Sequence, residues 1–507
     1  MTNQELLQLL HREVIPAIGC TEPIAVALCT ARAKELLGTE PESITVYLSK
    51  NVYKNALAVG IPNTGMTGLP IAIALGATVG KSEYMLEVLR DATPEAVAYA
   101  KQYMLRVPAT IKVDYEAPSL LYIHVEVSKG GQTAQATIID EHTNFVEPHT
   151  TPHNTTQHNA TPHNTILHNA TQHNTTLHNS TQHNTTLHNS TPHNTTPHNA
   201  TPHNTTLHNS TPHNTTLHNA TQHHTTQHNT TLHNATQCPP LSLRRVYDFA
   251  MQVDTAELSF LLDGAKMNTA AAETSFADQY GHGLGRLLRP TSNSEAVQQP
   301  SGPTSNSVSA LFGDSLFTKI ISYTCGACDA RMSGAMVQVM SNSGSGNQGI
   351  SCSIPVYLYA KENHCTQEQM LRALALSNLT VIYIKQSLGR LSALCGCVVA
   401  ATGSAAGITY LMGGNYEEIT YAIKNMIANI SGMICDGAKP GCALKVTSGV
   451  STAIFSAYLA MQHSYAGSTE GIVEEDIDRT IRNLTRIGHD GMKVTDDLIL
   501  DIMTHKQ

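Results

Sequence analysis

The sequence predicts an α+β protein, and three observations carry that reading. Residues 1–146 mix helical patterns with segments whose apolar residues alternate, residues 147–238 repeat a His/Asn/Thr pentapeptide, and residues 239–507 hold long Ala-, Gly- and Ser-rich apolar segments. We therefore expect an N-terminal α+β part with an antiparallel sheet, a disordered low-complexity insertion, and a mainly α-helical C-terminal domain.

In chain order, ELLQLLHREVIPAI predicts a helix ended by Gly19, and a second helix starts at Thr21-Glu22-Pro23 and runs through IAVALCTARAKELLG. Thr21 suits an N-cap and Pro23 a first turn. SITVYLSK, SLLYIHVEVS and TAQATIIDEHTNFV alternate as strands, with Gly130-Gly131 as a hairpin turn between the last two. The Gly-rich VGIPNTGMTGLP and the apolar IAIALGATVG lie between them. In the last stretch, helices are expected over AELSFLLDGAKMNTAAAETSFADQYG, EQMLRALALSNLTVIYI, LCGCVVAATGSAAGITYLMGG, YEEITYAIKNMIANISGM and ALKVTSGVSTAIFSAYLAMQHS. Their small residues suit close helix packing around an interior site.

From His153 to Gln237 a five-residue unit recurs and holds most of the 27 histidines. It has too little apolar surface to offset its ordering entropy, hence the expectation of disorder. Three readings stand beside one another: an expanded repeat tolerated in a surface loop, a weak His-rich binder of Zn, Ni or Cu, and a run of N-x-T sequons that matters only in a secreted chain. RPTSNSEAVQQPSGPTSNSVS is a second polar loop.

Charged residues make up only 14% of the chain and the formal net charge is −9, so the sequence carries no basic footprint for nucleic acid or an anionic membrane surface. The first twenty residues lack an apolar signal region, and the apolar stretches read as too short to span a bilayer. Eleven irregularly spaced cysteines in such a chain point to a reducing, cytoplasmic setting, with metal ligation or buried thiols favoured over disulfides. A homo-oligomer is left open.

Cys325 and Cys328 form CGAC, Cys395 and Cys397 form LCGC, and Cys435 and Cys442 flank a Gly-Ala-Lys-Pro-Gly turn. Soft thiolates bind zinc or iron–sulfur clusters, but this spacing is too loose for a zinc ribbon, and the residues alone favour buried structural thiols in Ala-rich helices over metal ligation. Cys442 follows Pro440-Gly441 and opens a helix, which favours a thiolate; Asp436 and Lys439 could support it. SNSGSGNQG, residues 341–349, and YKNALAVGIPNTGMTG, residues 53–68, are each either a backbone cradle for a carboxylate or a plain loop. Cys20 precedes a helix start that should lower its pKa, making it a base, a nucleophile or a structural thiol.

Taken together, GCTEP, NVYKNALAVGIPNTG, DGAKMNTA, DARMSG, SNSGSGNQG, LCGC and CDGAKPGC occur in the order found in the L-cysteine desulfidase (UPF0597) family. That family is related to the α domain of iron–sulfur L-serine dehydratases, and the resemblance spans nearly everything outside the two polar loops. It implies a [4Fe–4S] cluster held by Cys395, Cys435 and Cys442, with Cys397 as a fallback, and Cys20 as the catalytic base. The CGAC pair and the His/Asn repeat depart from the family pattern; the repeat follows the segment His142-Thr143-Asn144.

The expected reaction is β-elimination. Cys20 removes the α proton, an open iron assists the β leaving group, and aminoacrylate hydrolyses to pyruvate and ammonia. Ser341, Asn342, Ser343, Gly344, Asn347 and Gln348 are candidates to hold the substrate carboxylate, followed by Lys54, Asn55, Lys266, Asn268 and Arg331. L-cysteine is favoured as the small-molecule substrate because no segment matches the additional β domain of the dehydratases; L-serine is the alternative, and a non-enzymatic His-rich metal-binding protein is the second. No phosphate site for a pyridoxal-phosphate lyase is evident.

Overall fold

The computed structural model describes residues 1–146, 241–289 and 313–506, together with the backbone of eight strands between residues 153 and 228. Met1–Phe145 and Leu241–Gln507 make one compact unit, and Val146–Pro240 make a second.

The first unit contains a five-stranded sheet in the order Thr110–Asp114, Ser43–Ser49, Tyr122–Lys129, Gln132–Ile139, Phe145–Val146. The hairpin forms where expected: Gly130 and Gly131 both take positive φ, which a two-residue type I′ turn requires. The sheet is mixed rather than antiparallel, because Thr110–Asp114 runs parallel to Ser43–Ser49. Three α-helices, Lys50–Ala56, Leu69–Thr78 and Pro94–Arg106, lie in the crossover, as a parallel connection demands. TIKVD alternates over only five residues, with Ile111 and Val113 half-buried, and the sequence reading did not include it as a strand. Ile44, Val46, Leu48, Ile123, Val125 and Val127 are buried. The helix Thr21–Leu37 packs against Tyr122–Lys129, Gln132–Ile139 and Leu69–Thr78. At Gly76 a Cβ would meet the Ala27 carbonyl at 2.4 Å, so only glycine permits that approach.

Two expectations at the N-terminus are corrected. The first helix is Asn3–Glu13, opened by a Thr2/Glu5 capping box, and Pro16–Ile18 is instead a strand antiparallel to Gln338–Met340. Pro16 lacks the N–H that a continuing helix needs. Cys20, not Thr21, is the N-cap of the second helix, and the Thr21 hydroxyl turns to Glu22. Leu6, Leu9 and Leu10 are buried in the core of the helical part, so the first helix belongs to that core.

The helical part centres on Gly396–Leu411, buried continuously from Cys397 to Thr409. Gln367–Leu388, Cys442–Met461, Gly346–Glu362 and Tyr416–Ile430 pack around it. Its small residues allow this: a Cβ on Gly403 would meet the Ser377 carbonyl at 2.4 Å. Leu316–Met332 and Gly346–Glu362 are helices that the sequence reading did not include. Among the described residues, Cys442–Met461 is long and apolar enough by length and composition to cross a membrane, contrary to expectation. It packs against Gly396–Leu411, Tyr416–Ile430 and Leu316–Met332 in the helical core.

In the second unit the described backbone forms two sets of parallel strands. His153–His158, His173–His178, His193–His198 and His213–Thr215 form one parallel sheet; His163–His168, His183–His188, His203–His208 and His223–His228 form another. Each strand pairs with the one twenty residues on, as His153 with His173 and His163 with His183. Four pentapeptides thus make one repeat of the ladder. The backbone finds its hydrogen bonds between strands, and Thr favours extended conformations. The segments between these strands, and the second polar loop from 290 to 312, lie outside the described residues.

Candidate active site

One cleft in the first unit gathers residues from widely separated segments. It is lined by Cys20, Glu22, Asn55, Arg331, Asn347, Gln348, Lys385, Arg390, Cys395, Cys397, Cys435, Cys442 and Lys445, with Gly344, Ser345 and Gly396 contributing backbone. Four helices present their N-termini here: Thr21–Leu37, Gly346–Glu362, Gly396–Leu411 and Cys442–Met461. None of the four has a side-chain cap, whereas Thr2, Thr93, Ser242, Ser315, Thr366, Asn415 and Asp476 cap helices elsewhere. Uncapped first-turn N–H groups and the positive ends of four helix dipoles favour an anion. Arg331, Lys385, Arg390 and Lys445 against the single carboxylate of Glu22 reinforce that preference.

The backbone sets the cysteines. Leu394 and Ile434 form an antiparallel bridge, with the Cys395 N–H donating to the Met433 carbonyl at 3.0 Å and the Cys435 N–H to the Ala393 carbonyl at 2.6 Å. Cys395 is the N-cap of Gly396–Leu411, and Cys442 is the first residue of its own helix after the Pro440-Gly441 turn. All ten cysteines among the described residues are free. The Cys397 thiol donates toward Cys395, and this bond leads the effects that lower the Cys395 pKa to about 6. Burial pushes Cys442 up to about 11, with Cys435 and Cys395 adding to it, so the helix N-terminus does not dominate there. Burial also raises Cys435, and the neighbouring Cys395 adds to the rise.

Asp436 pairs with both Lys439 and Lys445 beneath the turn. Burial works against its charge, but the two lysines outweigh burial and hold it near 2. Cys328 is buried on Leu316–Met332 and feels the charge of Cys442, while Cys325 is buried nearby without lining the cleft.

The Cys20 Sγ donates to Glu22 Oε2 at 3.2 Å. Burial foremost, and then the Glu22 charge, raise its pKa well above the usual thiol range, with Arg331 opposing. The expectation of a lowered pKa is therefore corrected: the helix N-terminus is outweighed by desolvation and an adjacent carboxylate. Arg331 is 1% exposed. Its Nη1 donates to Asn347 Oδ1 at 2.9 Å, while its Nε and Nη2 have no partner. Gln348 Oε1 and Asn55 Oδ1 are likewise buried without partners.

The other expected substrate residues divide. Gly344, Asn347, Gln348, Asn55 and Arg331 line the cleft. Ser341, Asn342 and Ser343 do not; they brace the turn, with Ser341 Oγ donating to the Ile15 carbonyl at 2.7 Å, Asn342 Nδ2 to Asn378 Oδ1 at 2.9 Å, and the Ser343 N–H to the Glu13 carbonyl at 3.0 Å. Asn268 holds the strand Gln338–Met340 through both the Met340 N–H and carbonyl. Lys54 is buried against Asp496, which anchors the C-terminal helix Lys493–Thr504. Lys266 is exposed and pairs with Asp263 at 3.6 Å, one turn away on its own helix, and so does not reach the cleft.

Sequence reasoning missed Glu22, Lys385, Arg390 and Lys445 as cleft residues. Glu22 stands two places from Cys20 and was legible; KQSLGR reads as an ordinary exposed helix end. Burial and then Arg390 lower the Lys385 pKa to about 8. His142 was noted only as a landmark. It is buried, both ring nitrogens lack partners, and a Cβ on Gly344 would meet its Nδ1 at 2.6 Å.

The fold and cleft define an α+β protein with a thiol-rich, cationic site. A sequence model of the family described as "Serine dehydratase alpha chain" matches residues 83–501. The chain is 49% identical to a UPF0597 protein of Phocaeicola vulgatus over 99% of its length and 98% of the relative's. It is 48% identical to one of Bacteroides fragilis over the same shares, and 37% identical to one of Oleidesulfovibrio alaskensis over 99% and 98%. The chain belongs to the serine dehydratase alpha-chain family and, within it, to the UPF0597 proteins.

The donor set fits an iron–sulfur cluster. Among the described residues no three His, Cys, Asp or Glu side chains meet around one point as ligands of a single ion would. A cluster asks for less, because each thiolate binds a different iron. Cys395, Cys435 and Cys442 border one cleft under uncapped helix starts that stabilise the negative charge of such a cluster.

Proposed function

We propose that the protein is an iron–sulfur lyase that eliminates sulfide from L-cysteine to give pyruvate and ammonia. The observation that carries the reading is a single cleft with Cys395, Cys435 and Cys442, the Cys20–Glu22 pair, and a buried Arg331 with two unpartnered donors. The three cysteines would hold a [4Fe–4S] cluster with one iron free of protein ligands. When bound, it supplies a Lewis acid for the β substituent.

Arg331 Nε and Nη2 receive the substrate carboxylate in a two-point pairing, and Asn347 holds the guanidinium in place. The amide of Gln348 and the open N–H groups of the Gly346–Glu362 helix add donors for the anion. Cys20 takes the α proton. The cationic lining stabilises the developing carbanion, which a single base could not do for so weak a carbon acid. The match to the serine dehydratase alpha chain favours a second substrate reading, dehydration of L-serine by the same residues.

Anaerobically reconstituted protein tests this. Sulfide and pyruvate should form from L-cysteine, and pyruvate from L-serine measures the alternative. Cys435→Ser should lose the brown colour and the activity together. A protein that stays colourless after reconstitution would sink the lyase reading.

A further inference from the structure

We infer that Glu22 is the proton acceptor that turns Cys20 into a base, the two side chains working as one acid–base dyad; this rests on the lyase reading above. Both residues line the cleft and both are buried. The Cys20 thiol already donates to Glu22 Oε2 at 3.2 Å. The carboxylate is fixed in turn by the Thr21 hydroxyl on Oε2 at 3.1 Å and by Asn55 Nδ2 on Oε1 at 3.3 Å. This is the arrangement of an activated nucleophile or base: a weakly acidic group, a hydrogen-bonded acceptor, and further groups that orient the acceptor. The uncapped start of Thr21–Leu37 stabilises the thiolate once it forms.

The surrounding charges come from several elements. Arg331 on Leu316–Met332 favours the Cys20 thiolate, whereas Glu22 opposes it. His142, between the strands Gln132–Ile139 and Phe145–Val146, and Lys385, on Gln367–Leu388, both feel Glu22, and Arg390 acts on each of them. With burial, this leaves Cys20 a thiol at rest. A free thiolate is then not the starting base at neutral pH, and its proton needs a destination within the cleft. Glu22 is the single carboxylate in the lining.

The step balances without another reactant. The S–H bond of Cys20 breaks as an O–H bond forms on Glu22. The thiolate sulfur then takes the α proton, the C–H pair becomes the Cα–Cβ π bond, and the Cβ–S or Cβ–O bond breaks with its electrons on the leaving group. Cys20 is again a thiol. Glu22 gives its proton to the departing hydrosulfide or hydroxide, releasing hydrogen sulfide or water and restoring the resting pair.

The test uses Glu22→Gln, Glu22→Asp and Cys20→Ala in the full chain. In reconstituted enzyme, Glu22→Gln should lower kcat by about 10²–10⁴-fold with KM within threefold, the scale of a lost acid–base group. Glu22→Asp should recover part of the loss, and Glu22→Gln/Cys20→Ala should be no worse than the weaker single variant. The second arm needs neither cluster nor turnover: the pH midpoint of Cys20 alkylation by iodoacetamide, followed by peptide mass in cluster-free protein. Glu22→Gln should move that midpoint to lower pH, because the carboxylate that opposes the thiolate is gone. Full kcat in Glu22→Gln, or an unmoved midpoint, overturns the dyad. If wild-type protein eliminates neither amino acid the lyase reading fails, and the alkylation arm still decides whether Glu22 controls Cys20.

Discussion

Arg331→Met removes the group on which substrate binding is proposed to turn. The guanidinium is buried, Nη1 is held by Asn347 at 2.9 Å, and Nε and Nη2 are unpartnered. Two charge-assisted hydrogen bonds to a carboxylate are worth about 1.5–3 kcal/mol each, so losing both costs about 3–6 kcal/mol. At 1.36 kcal/mol per factor of ten, kcat/KM should fall about 10²–10⁴-fold. The fall should appear mainly in KM, since the carboxylate is held equally in ground and transition states. Stability should move the other way. Each buried unpartnered donor carries a desolvation penalty of about 1–3 kcal/mol, and Met relieves two while leaving one acceptor, Asn347 Oδ1, unpaired. The cluster-free protein should therefore melt no lower than wild type. Steady-state kinetics on L-cysteine and L-serine, with thermal melts of the same preparations, measure both quantities. A kcat/KM within threefold of wild type, or a lowered melting temperature that accounts for the activity loss, would refute the assignment.

Gly346→Ala should produce much of the same kinetic loss without touching Arg331, because its Cβ would meet Arg331 Nε at 2.3 Å and displace the guanidinium; a KM comparison checks it. Burial lowers the His142 pKa from 6.5 to about 4, so between those pH values the unfolded chain binds a proton that the folded one refuses. Its contribution is neutral above pH 6.5 and becomes a penalty approaching about 3 kcal/mol as pH falls to 4. Wild type should lose stability to urea faster than His142→Gln over that window. Replacing residues 147–238 with a Gly/Ser linker should leave melting temperature and reconstituted activity within error, since Met1–Phe145 and Leu241–Gln507 form a compact unit of their own. Iron lost with the segment would instead locate metal binding in the repeat.

Local pattern made much of the fold legible. The alternation of Ile44, Val46 and Leu48 and the Gly130-Gly131 pair announced strands and their turn, because a half-buried strand and a type I′ turn leave marks within a few residues. The helices Leu316–Met332 and Gly346–Glu362 were not legible: buried nearly all round, they carry no amphipathic stripe. In the repeat, the described strands pair at a spacing of twenty residues, a period that composition alone does not show.

The site divides in the same way. Motif resemblance pointed to Cys20, Cys395, Cys435 and Cys442, and the structure brings all four to one cleft. Asn268, Lys266, Ser341 and Ser343 are polar residues inside the same motifs, yet hydrogen bonds to Met340, exposure, and the bracing of a turn place them away from it. A motif cannot separate a side chain that touches substrate from one that holds the loop which does.

The sequence by itself determined the family, the thiol inventory and the Gly130-Gly131 hairpin turn, since each is written in local residue order. Only the tertiary structure decided the rest. It set four uncapped helix starts around one cleft, left Arg331 buried with two donors free, and placed a carboxylate against Cys20. Burial and neighbouring charge are properties of packing between distant segments, and here they reversed the acidity that the helix start alone implied for Cys20.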